Sequence, residues 1–273
     1  MSIYFVTGKL GAGKTLSAVG RIMYYLSQGR RVATNLDLFP ENFNNKHNRK
    51  IEIVRLPDKP EAYHMETLGR GYDGDKVKEN KNGLIVLDEC GTWLNSRTWN
   101  DKGRADLIDW FLHARKLRWD IIFIVQDLSI IDKQVRQTLC EHLGVGKRLD
   151  RFQLPAFANP LKLIGIKIKP PRFFIMKIYY GDNESSMVAE RWKTLGTYIF
   201  NYYDTEQVFT NKNDGIYSML TPWHLVGRYQ AKKTYYDYAN ILIMPLIRKI
   251  LSIYIKLGGS FTPYSYVKRA KNV

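Results

Sequence analysis

The sequence predicts an α/β protein with a mostly parallel central sheet covered by helices, a strand-containing C-terminal addition and a hydrophobic, basic C-terminal helix. Short apolar runs alternate with segments of helical periodicity, which is typical of a parallel sheet buried on both faces. Hydrophobic residues make up 45% of the 273-residue chain, which is the composition of a packed globular protein. A glycine-rich stretch also separates the first apolar run from the first helical segment.

The first elements are predicted to form a strand, helix, strand unit. Ser2–Thr7 is a short apolar run that ends at a glycine, as expected of a buried strand. Apolar residues recur at helical spacing from Thr15 onward, and Gly29 is a plausible end of that helix. Arg31–Leu36 then predicts the second strand, so the unit has the length of a right-handed crossover.

Three further elements continue the alternation of strands and helices. Gly83–Leu87 and Ile121–Val125 are near-continuous apolar runs and predict two buried strands. Ala105–Lys116 has the apolar spacing of an amphipathic helix. Residues 40–50 and 69–82 are polar and rich in turn-forming residues, so both are predicted to be surface loops.

The chain is predicted to consist of one main domain and a terminal segment. The main domain covers residues 1–235, with a core at about 1–150 and a C-terminal addition at about 151–235. Within the addition, the stretch RFFIMKIYY predicts a strand, and either an antiparallel extension or a small subdomain fits the pattern. Residues 236–273 form a basic, partly hydrophobic terminal segment.

The most hydrophobic stretch is residues 241–257, within the terminal segment. Pro245, Arg248 and Lys249 interrupt it, and a charge at the centre of a bilayer costs about 2.5 to 3.5 kcal/mol on insertion scales. A simple membrane span is therefore disfavoured. A helix lying in the headgroup region and a helix packed on protein both fit the composition, so the three interpretations remain open.

The charge balance favours an anionic partner. Lysine and arginine number 42 and the acidic residues 26, which gives a net charge of +16. From residue 226 to 273 there are nine basic residues against one acid, so nucleic acid or a phospholipid surface is a candidate partner. Cys90 and Cys140 are too few for a disulfide framework and are predicted to be core residues in a reducing compartment. No secretory signal is expected at the N-terminus.

A phosphate-binding loop is predicted between the first strand and the first helix, because Gly8, Gly13, Lys14 and Thr15 satisfy the pattern G-x-x-x-x-G-K-[ST]. Glycines allow the backbone to fold around the phosphates, and the following helix points its positive dipole end at them. Lys14 would neutralise the terminal phosphates, and the Thr15 hydroxyl would bind Mg²⁺. The predicted ATP-binding residues are Gly8, Lys9, Leu10, Gly11, Ala12, Gly13, Lys14 and Thr15.

Polar residues at the ends of two strands are predicted to complete the site. Asp88 follows the strand GLIVL and would hold Mg²⁺ together with Thr15. Glu89 would act as the base that activates water, and Gln126, at the end of the next strand, could lie between Glu89 and the γ-phosphate. The predicted catalytic residues are therefore Lys14, Glu89 and Gln126.

An arginine from a neighbouring subunit is a further expectation, since hydrolysis in such motors usually needs a cation supplied in trans. Arg115, Arg118 and Arg136 are the candidates, because each lies in or near a helix that could reach an interface. The sequence does not distinguish them from solvated surface arginines.

Four stretches give the chain a family resemblance: IYFVTGKLGAGKTLSA; RVATNLDL around Asn35; LIVLDE with HARKLRWDIIFIVQDLSIIDKQVR; and NYYDTEQVF at 201–209. With these residues the chain resembles the zonular occludens toxin-like (Zot) ATPases of filamentous phages, which belong with the FtsK and HerA type of DNA motor. The resemblance covers about residues 1–210. It implies a P-loop fold, ATP and Mg²⁺ as cofactors, and assembly into a homo-oligomer of the ring type.

The resemblance also implies a role in phage assembly and export. The expected location is the host cytoplasm, at the cytoplasmic face of the inner membrane, with presence in the virion as an alternative. Expected partners are phage coat or assembly proteins, with an anionic membrane surface and nucleic acid as further candidates. Two other functions remain open: a genome-packaging ATPase that moves DNA into a capsid, and a nucleotide-binding membrane scaffold without turnover.

Overall fold

The computed structural model describes residues 2–43, 50–76, 78–95, 102–148, 173–195, 198–210, 215–229 and 234–256. The chain divides into one compact unit, Met1–Arg228, and a second unit that begins at Tyr229. The division predicted from the sequence, between residues 1–235 and 236–273, stays a prediction. Much of the expected C-terminal addition, at 149–172, and the end of the basic segment, from residue 257, lie outside the described residues.

The described strands form one sheet. Its nine strands are β1 (Ile3–Thr7), β2 (Val32–Thr34), β3 (Ile53–Arg55), β4 (Gly83–Leu87), β5 (Trp119–Ile124), β6 (His142–Arg148), β7 (Phe173–Tyr180), β8 (Val188–Leu195) and β9 (Tyr217–Ser218). They lie in the order β8-β7-β6-β1-β5-β4-β2-β3-β9. The six strands from β6 to β3 in this order run parallel to one another, which confirms the predicted sheet.

The antiparallel strands extend both sides of this parallel core. Strand β7 pairs with β6 and with β8, so the stretch RFFIMKIYY belongs to an antiparallel extension of the same sheet. Of the two alternatives that fit the sequence, an antiparallel extension or a small subdomain, the described part of the addition therefore forms the extension. At the other edge, β9 pairs antiparallel with β3.

Helices cover both faces of the sheet. The described helices of the first unit are α1 (Lys14–Ser27), α2 (Ala62–Thr67), α3 (Lys102–His113), α4 (Lys133–Leu139) and α5 (Pro222–Leu225), and α6 (Tyr235–Lys256) belongs to the second unit. Helix α1 packs its apolar residues, such as Val19 and Ile22, on one face of the sheet. Residues of α3 and α4, such as Phe111 and Leu139, cover the other face.

Two predicted elements end earlier than their apolar patterns suggest. Helix α3 stops at His113 instead of Lys116, because the chain turns there and the N–H of Trp119 donates to the carbonyl of Ala114. Arg118 completes this turn with a positive φ of 62°. The second strand ends at Thr34, directly before Asn35, whose side chain binds the N–H and the carbonyl of Asp88 just beyond β4.

Helix α6 contains most of the hydrophobic stretch that begins at residue 241. It is 22 residues long, carries Asp237 in its first turn and has Pro245 in its interior. Across the described residues, no helix combines the length and the apolar composition that a membrane crossing requires.

Both cysteines lie in the core, as predicted. Burial raises the pKa of the Cys90 thiol far above its usual value and that of Cys140 to about 12. The thiolate is the reactive form, so both raised pKa values lower the reactive fraction at pH 8. We expect a thiol reagent at pH 8 to react at least about a hundredfold more slowly with the native protein than with protein in guanidinium. Rapid labelling of either cysteine in the native protein would contradict this placement.

Candidate nucleotide site

Three parallel strands bring the predicted site residues to one edge of the sheet. Strand β5 lies between β1 and β4, so the ends of these strands are neighbours. The phosphate loop follows β1, the acidic pair follows β4, and Gln126 lies just beyond β5. This order explains how residues more than 100 positions apart in the sequence can share one site.

The phosphate loop has the backbone that its glycines predict. Gly8, Gly11 and Gly13 all have positive φ values, of 144°, 73° and 84°. The Nζ of Lys14 lies across the loop and donates to the carbonyl of Gly8 at 2.9 Å. Helix α1 starts at Lys14, so the N–H groups of its first turn, which have no intrahelical acceptors, lie at the end of the loop.

The loop also packs against strands β6 and β7. A Cβ atom on Gly13 would lie 2.3 Å from Cδ1 of Phe174, on β7. A Cβ atom on Gly8 would lie 3.1 Å from the carbonyl oxygen of Gly146, on β6. A Cβ atom at position 13 would force Phe174 or the loop to move, whereas position 8 leaves tight space for one; both glycines also have positive φ.

A direct hydrogen bond joins the loop to the acidic pair. The Thr15 hydroxyl donates to Oδ2 of Asp88 at 2.7 Å. Asp88 is 7% exposed, and burial raises the pKa of its carboxyl, while the hydrogen bonds from Thr15 and from the N–H of Glu89 act in the opposite direction. The Thr15 hydroxyl and the Asp88 carboxylate are thus held together in a largely desolvated position. These are the hard oxygen donors that Mg²⁺ prefers.

Glu89 and Gln126 lie next to each other at the more exposed side of the site. Glu89 has a left-handed backbone, with φ 53°. The Nε2 of Gln126 donates to Oε2 of Glu89 at 3.4 Å, and the Gln126 carbonyl accepts from the Thr7 hydroxyl at 3.0 Å. Gln126 therefore contacts both the end of β1 and the carboxylate after β4.

The three candidate arginines have different surroundings. Arg115 is exposed. Arg118 is buried and donates to the carbonyls of Tyr72 and Gly74, so it stabilises a turn and does not fit a role in a neighbouring subunit's site. Arg136 lines a groove of about 930 Å³ along its own chain's phosphate loop and forms an ion pair with Asp182 at 3.3 Å.

Two residues at the site have no role in the sequence-based prediction. Asn35 is fully buried after β2 and hydrogen bonds to both the N–H and the carbonyl of Asp88. Gln207 hydrogen bonds to the backbone of Asn35 and Asp37. A polar residue directly after a buried strand was the available signal for Asn35, whereas Gln207 is 172 residues away from it in the sequence.

Comparison with known proteins gives a family match and close relatives. The family model described as zonular occludens toxin (Zot) matches residues 2–185. The chain is 45% identical to the Gene 1 protein of Enterobacteria phage M13, over 99% of this chain and 79% of that protein. It is 43% identical to the Gene 1 protein of Escherichia phage If1, over 98% of this chain and 77% of that protein.

Solved structures give more distant matches. The N-terminal domain of zonular occludens toxin from Neisseria meningitidis matches with a TM-score of 0.41 and 16% identity, over 74% of this chain and 98% of that one. The genome packaging NTPase B204 from Sulfolobus turreted icosahedral virus 2, in complex with ATP-gammaS, matches with a TM-score of 0.36 and 8% identity, over 70% and 96%.

The family match covers about two thirds of the chain, and the relatives align over nearly all of it. The phosphate loop and the parallel sheet described above agree with this assignment. The chain belongs to the zonular occludens toxin (Zot) family, has the phosphate loop and the parallel sheet of a P-loop NTPase fold, and is related to the phage Gene 1 proteins.

Proposed function

We propose that the protein uses ATP hydrolysis to drive the assembly and export of phage particles at the inner membrane of the host. In this proposal it works in the cytoplasm as a ring-type homo-oligomer at the membrane's cytoplasmic face, with phage coat or assembly proteins as partners. The hydrogen bond of 2.7 Å between Thr15 and Asp88 carries the proposal, because it joins the phosphate loop and the acidic pair in one site. The similarity to Gene 1 proteins of phages supports the phage context.

The residues present fit ATP with Mg²⁺. The loop glycines expose backbone N–H groups next to the helix N-terminus, where a phosphate is favoured. Thr15 and Asp88 would hold the metal, since they already lie within hydrogen-bond distance of each other. When bound, Mg²⁺ would neutralise charge on the β- and γ-phosphates.

Three side chains of the site would have different roles in hydrolysis. Lys14, now bound to the Gly8 carbonyl, would turn its ammonium group toward the terminal phosphate and offset its charge. Glu89 would accept the proton of the attacking water at its carboxylate. Gln126 would hold that carboxylate through its Nε2, which lies 3.4 Å from Oε2.

Membrane association would depend on the basic terminal segment. Helix α6 carries Arg248 and Lys249 among apolar residues, a composition that suits the headgroup region of an anionic membrane. The proposal is that this segment lies on the membrane surface.

Replacing Lys14 tests the nucleotide site. We expect Lys14→Ala to weaken ATP binding about tenfold to a hundredfold, because a charge-assisted contact with phosphate contributes about 1.5 to 3 kcal/mol. Lys116→Ala is the matched control, since Lys116 is exposed and lies before β5, at the opposite end of that strand from Gln126. Isothermal titration calorimetry with ATP measures both variants. Unchanged binding in Lys14→Ala would contradict the phosphate loop.

The location and the cargo can be tested together. We expect the full chain to float with anionic liposomes, a truncation after Lys233 to stay unbound, and the vesicles to raise ATP hydrolysis by the full chain. Hydrolysis that DNA stimulates with a steep salt dependence, and that vesicles leave unchanged, would instead favour genome packaging. Wild-type protein without turnover in any assembly state would favour the scaffold.

A further inference from the structure

The Asn35 side chain binds the backbone of Asp88, the residue proposed to hold Mg²⁺. Its Oδ1 accepts from the N–H of Asp88 at 2.8 Å, and its Nδ2 donates to the carbonyl of Asp88 at 3.0 Å. The same Nδ2 donates to the carbonyl of Asp58 at 3.1 Å. Both donor positions of this fully buried amide are therefore occupied, and the two bonds to Asp88 replace a pair of backbone ladder bonds at the end of β4.

The two bonds fix the orientation of the Asp88 peptide. Asp88 binds Thr15 through its carboxylate, and the next residue, Glu89, has a left-handed backbone. A non-glycine residue rarely adopts this conformation, and it persists only where its surroundings hold it. Asn35 therefore binds both backbone polar groups of the residue directly before this turn.

Gln207 attaches a distant segment to Asn35. Its Nε2 donates to the carbonyl of Asn35 at 2.9 Å, and its Oε1 accepts from the N–H of Asp37 at 2.8 Å. Two more hydrogen bonds hold the segment around Gln207. The N–H of Asp204 donates to the Asp37 carbonyl at 2.8 Å, and the N–H of Thr210 donates to Oδ2 of Asp58 at 2.7 Å.

We infer that Asn35 is a positioning residue for the metal-binding Asp88, and that Gln207 makes this positioning depend on the docking of residues 198–210. Each link of the chain from Gln207 through Asn35 to Asp88 and Thr15 is a hydrogen bond of 3.0 Å or less. Neither Asn35 nor Gln207 needs to touch the nucleotide. The inference rests on the proposed function in one respect, the assignment of Asp88 to the metal.

The test compares the binding of a non-hydrolysable ATP analogue with Mg²⁺ and with EDTA, by calorimetry. Gln207→Met removes both hydrogen bonds at a half-buried side chain of similar length, and Asn35→Leu removes both bonds to Asp88 with a side chain of similar size and no added charge. Mg²⁺ should raise the affinity of wild type for the analogue, and we expect this gain to be about fivefold to tenfold smaller in both variants. In EDTA, both variants should bind the analogue within about twofold of wild type. Gln28→Met is the control, with no change expected, because Gln28 is exposed and follows α1, at the far end of that helix from the phosphate loop.

A purely structural role predicts a different result. Variants that lose affinity equally with Mg²⁺ and with EDTA, or that keep the full Mg²⁺ gain while folded by circular dichroism, would overturn the inference. Gln207→Met decides the matter if Asn35→Leu does not fold. If wild type binds more tightly with Mg²⁺ but has no turnover, the proposed function fails and the positioning role still stands. If Mg²⁺ has no effect on wild type, the inference fails as well.

Discussion

Replacing Glu89 by glutamine is expected to lower kcat for ATP hydrolysis about 10²- to 10⁴-fold and to leave ATP binding close to that of wild type. Glutamine has nearly the same shape as glutamate but cannot take a proton from the attacking water. The Glu89 carboxylate lies at the exposed side of the site, 3.4 Å from Gln126 Nε2, while Thr15 and Asp88 occupy the buried side. The substitution therefore removes the base without altering the residues proposed to hold phosphate and metal.

Two measurements separate loss of the base from general damage. Steady-state hydrolysis gives kcat, and equilibrium titration with a fluorescent ATP analogue gives affinity. Glu66→Gln is the matched control, because Glu66 is an exposed glutamate on α2, away from the loop and the acidic pair. Turnover by Glu89→Gln within about threefold of wild type would assign the base to another residue.

Gly13→Ala is expected to destabilise the folded protein by about 2 to 5 kcal/mol and to abolish nucleotide binding. Two costs combine: a side chain at a left-handed φ, about 1 to 2 kcal/mol, and overpacking against Phe174, about 1 to 3 kcal/mol. The added methyl group would lie 2.3 Å from the Phe174 ring. The ring or the loop must move, and either movement changes the cradle for phosphate.

Gly29→Ala isolates the backbone cost. Gly29 has a similar φ, of 71°, but a Cβ atom there would meet nothing within 4 Å. Chemical denaturation of both variants should show a larger loss for Gly13→Ala, and only this variant should lose ATP binding. Equal losses of stability in the two variants would show that the contact with Phe174 carries no cost.

The sequence is informative where local pattern and chemistry coincide. The glycines, Lys14 and Thr15 follow an apolar run, and Asp88 and Glu89 follow another, so residue types and strand ends together predict the site. Periodicity predicts α1 well because its apolar face packs continuously on the sheet. Periodicity misplaces the end of α3, which stops at His113 and not at Lys116. The chain turns after His113, and Arg118 takes a left-handed conformation in this turn.

Other features depend on contacts between distant parts of the chain. No local pattern reveals that β5 inserts between β1 and β4, which places Gln126 beside Glu89. The contacts of Asn35 with Asp88 and of Gln207 with Asn35 span 53 and 172 positions. The burial of Arg118 is equally invisible, because an arginine after an amphipathic helix is usually solvated.

The packing of Phe174 against Gly13 has a consequence for the thermodynamics of ligand capture. A glycine-rich loop is expensive to immobilise, since each ordered residue loses about 1 to 2 kcal/mol of backbone entropy. Here the ring at β7 and the neighbouring Gly146 already confine the loop from outside the site. That entropy is lost when the polypeptide folds, so the loop is already ordered before a triphosphate binds. Less of the interaction energy is then spent on ordering the loop, and more of it contributes to affinity.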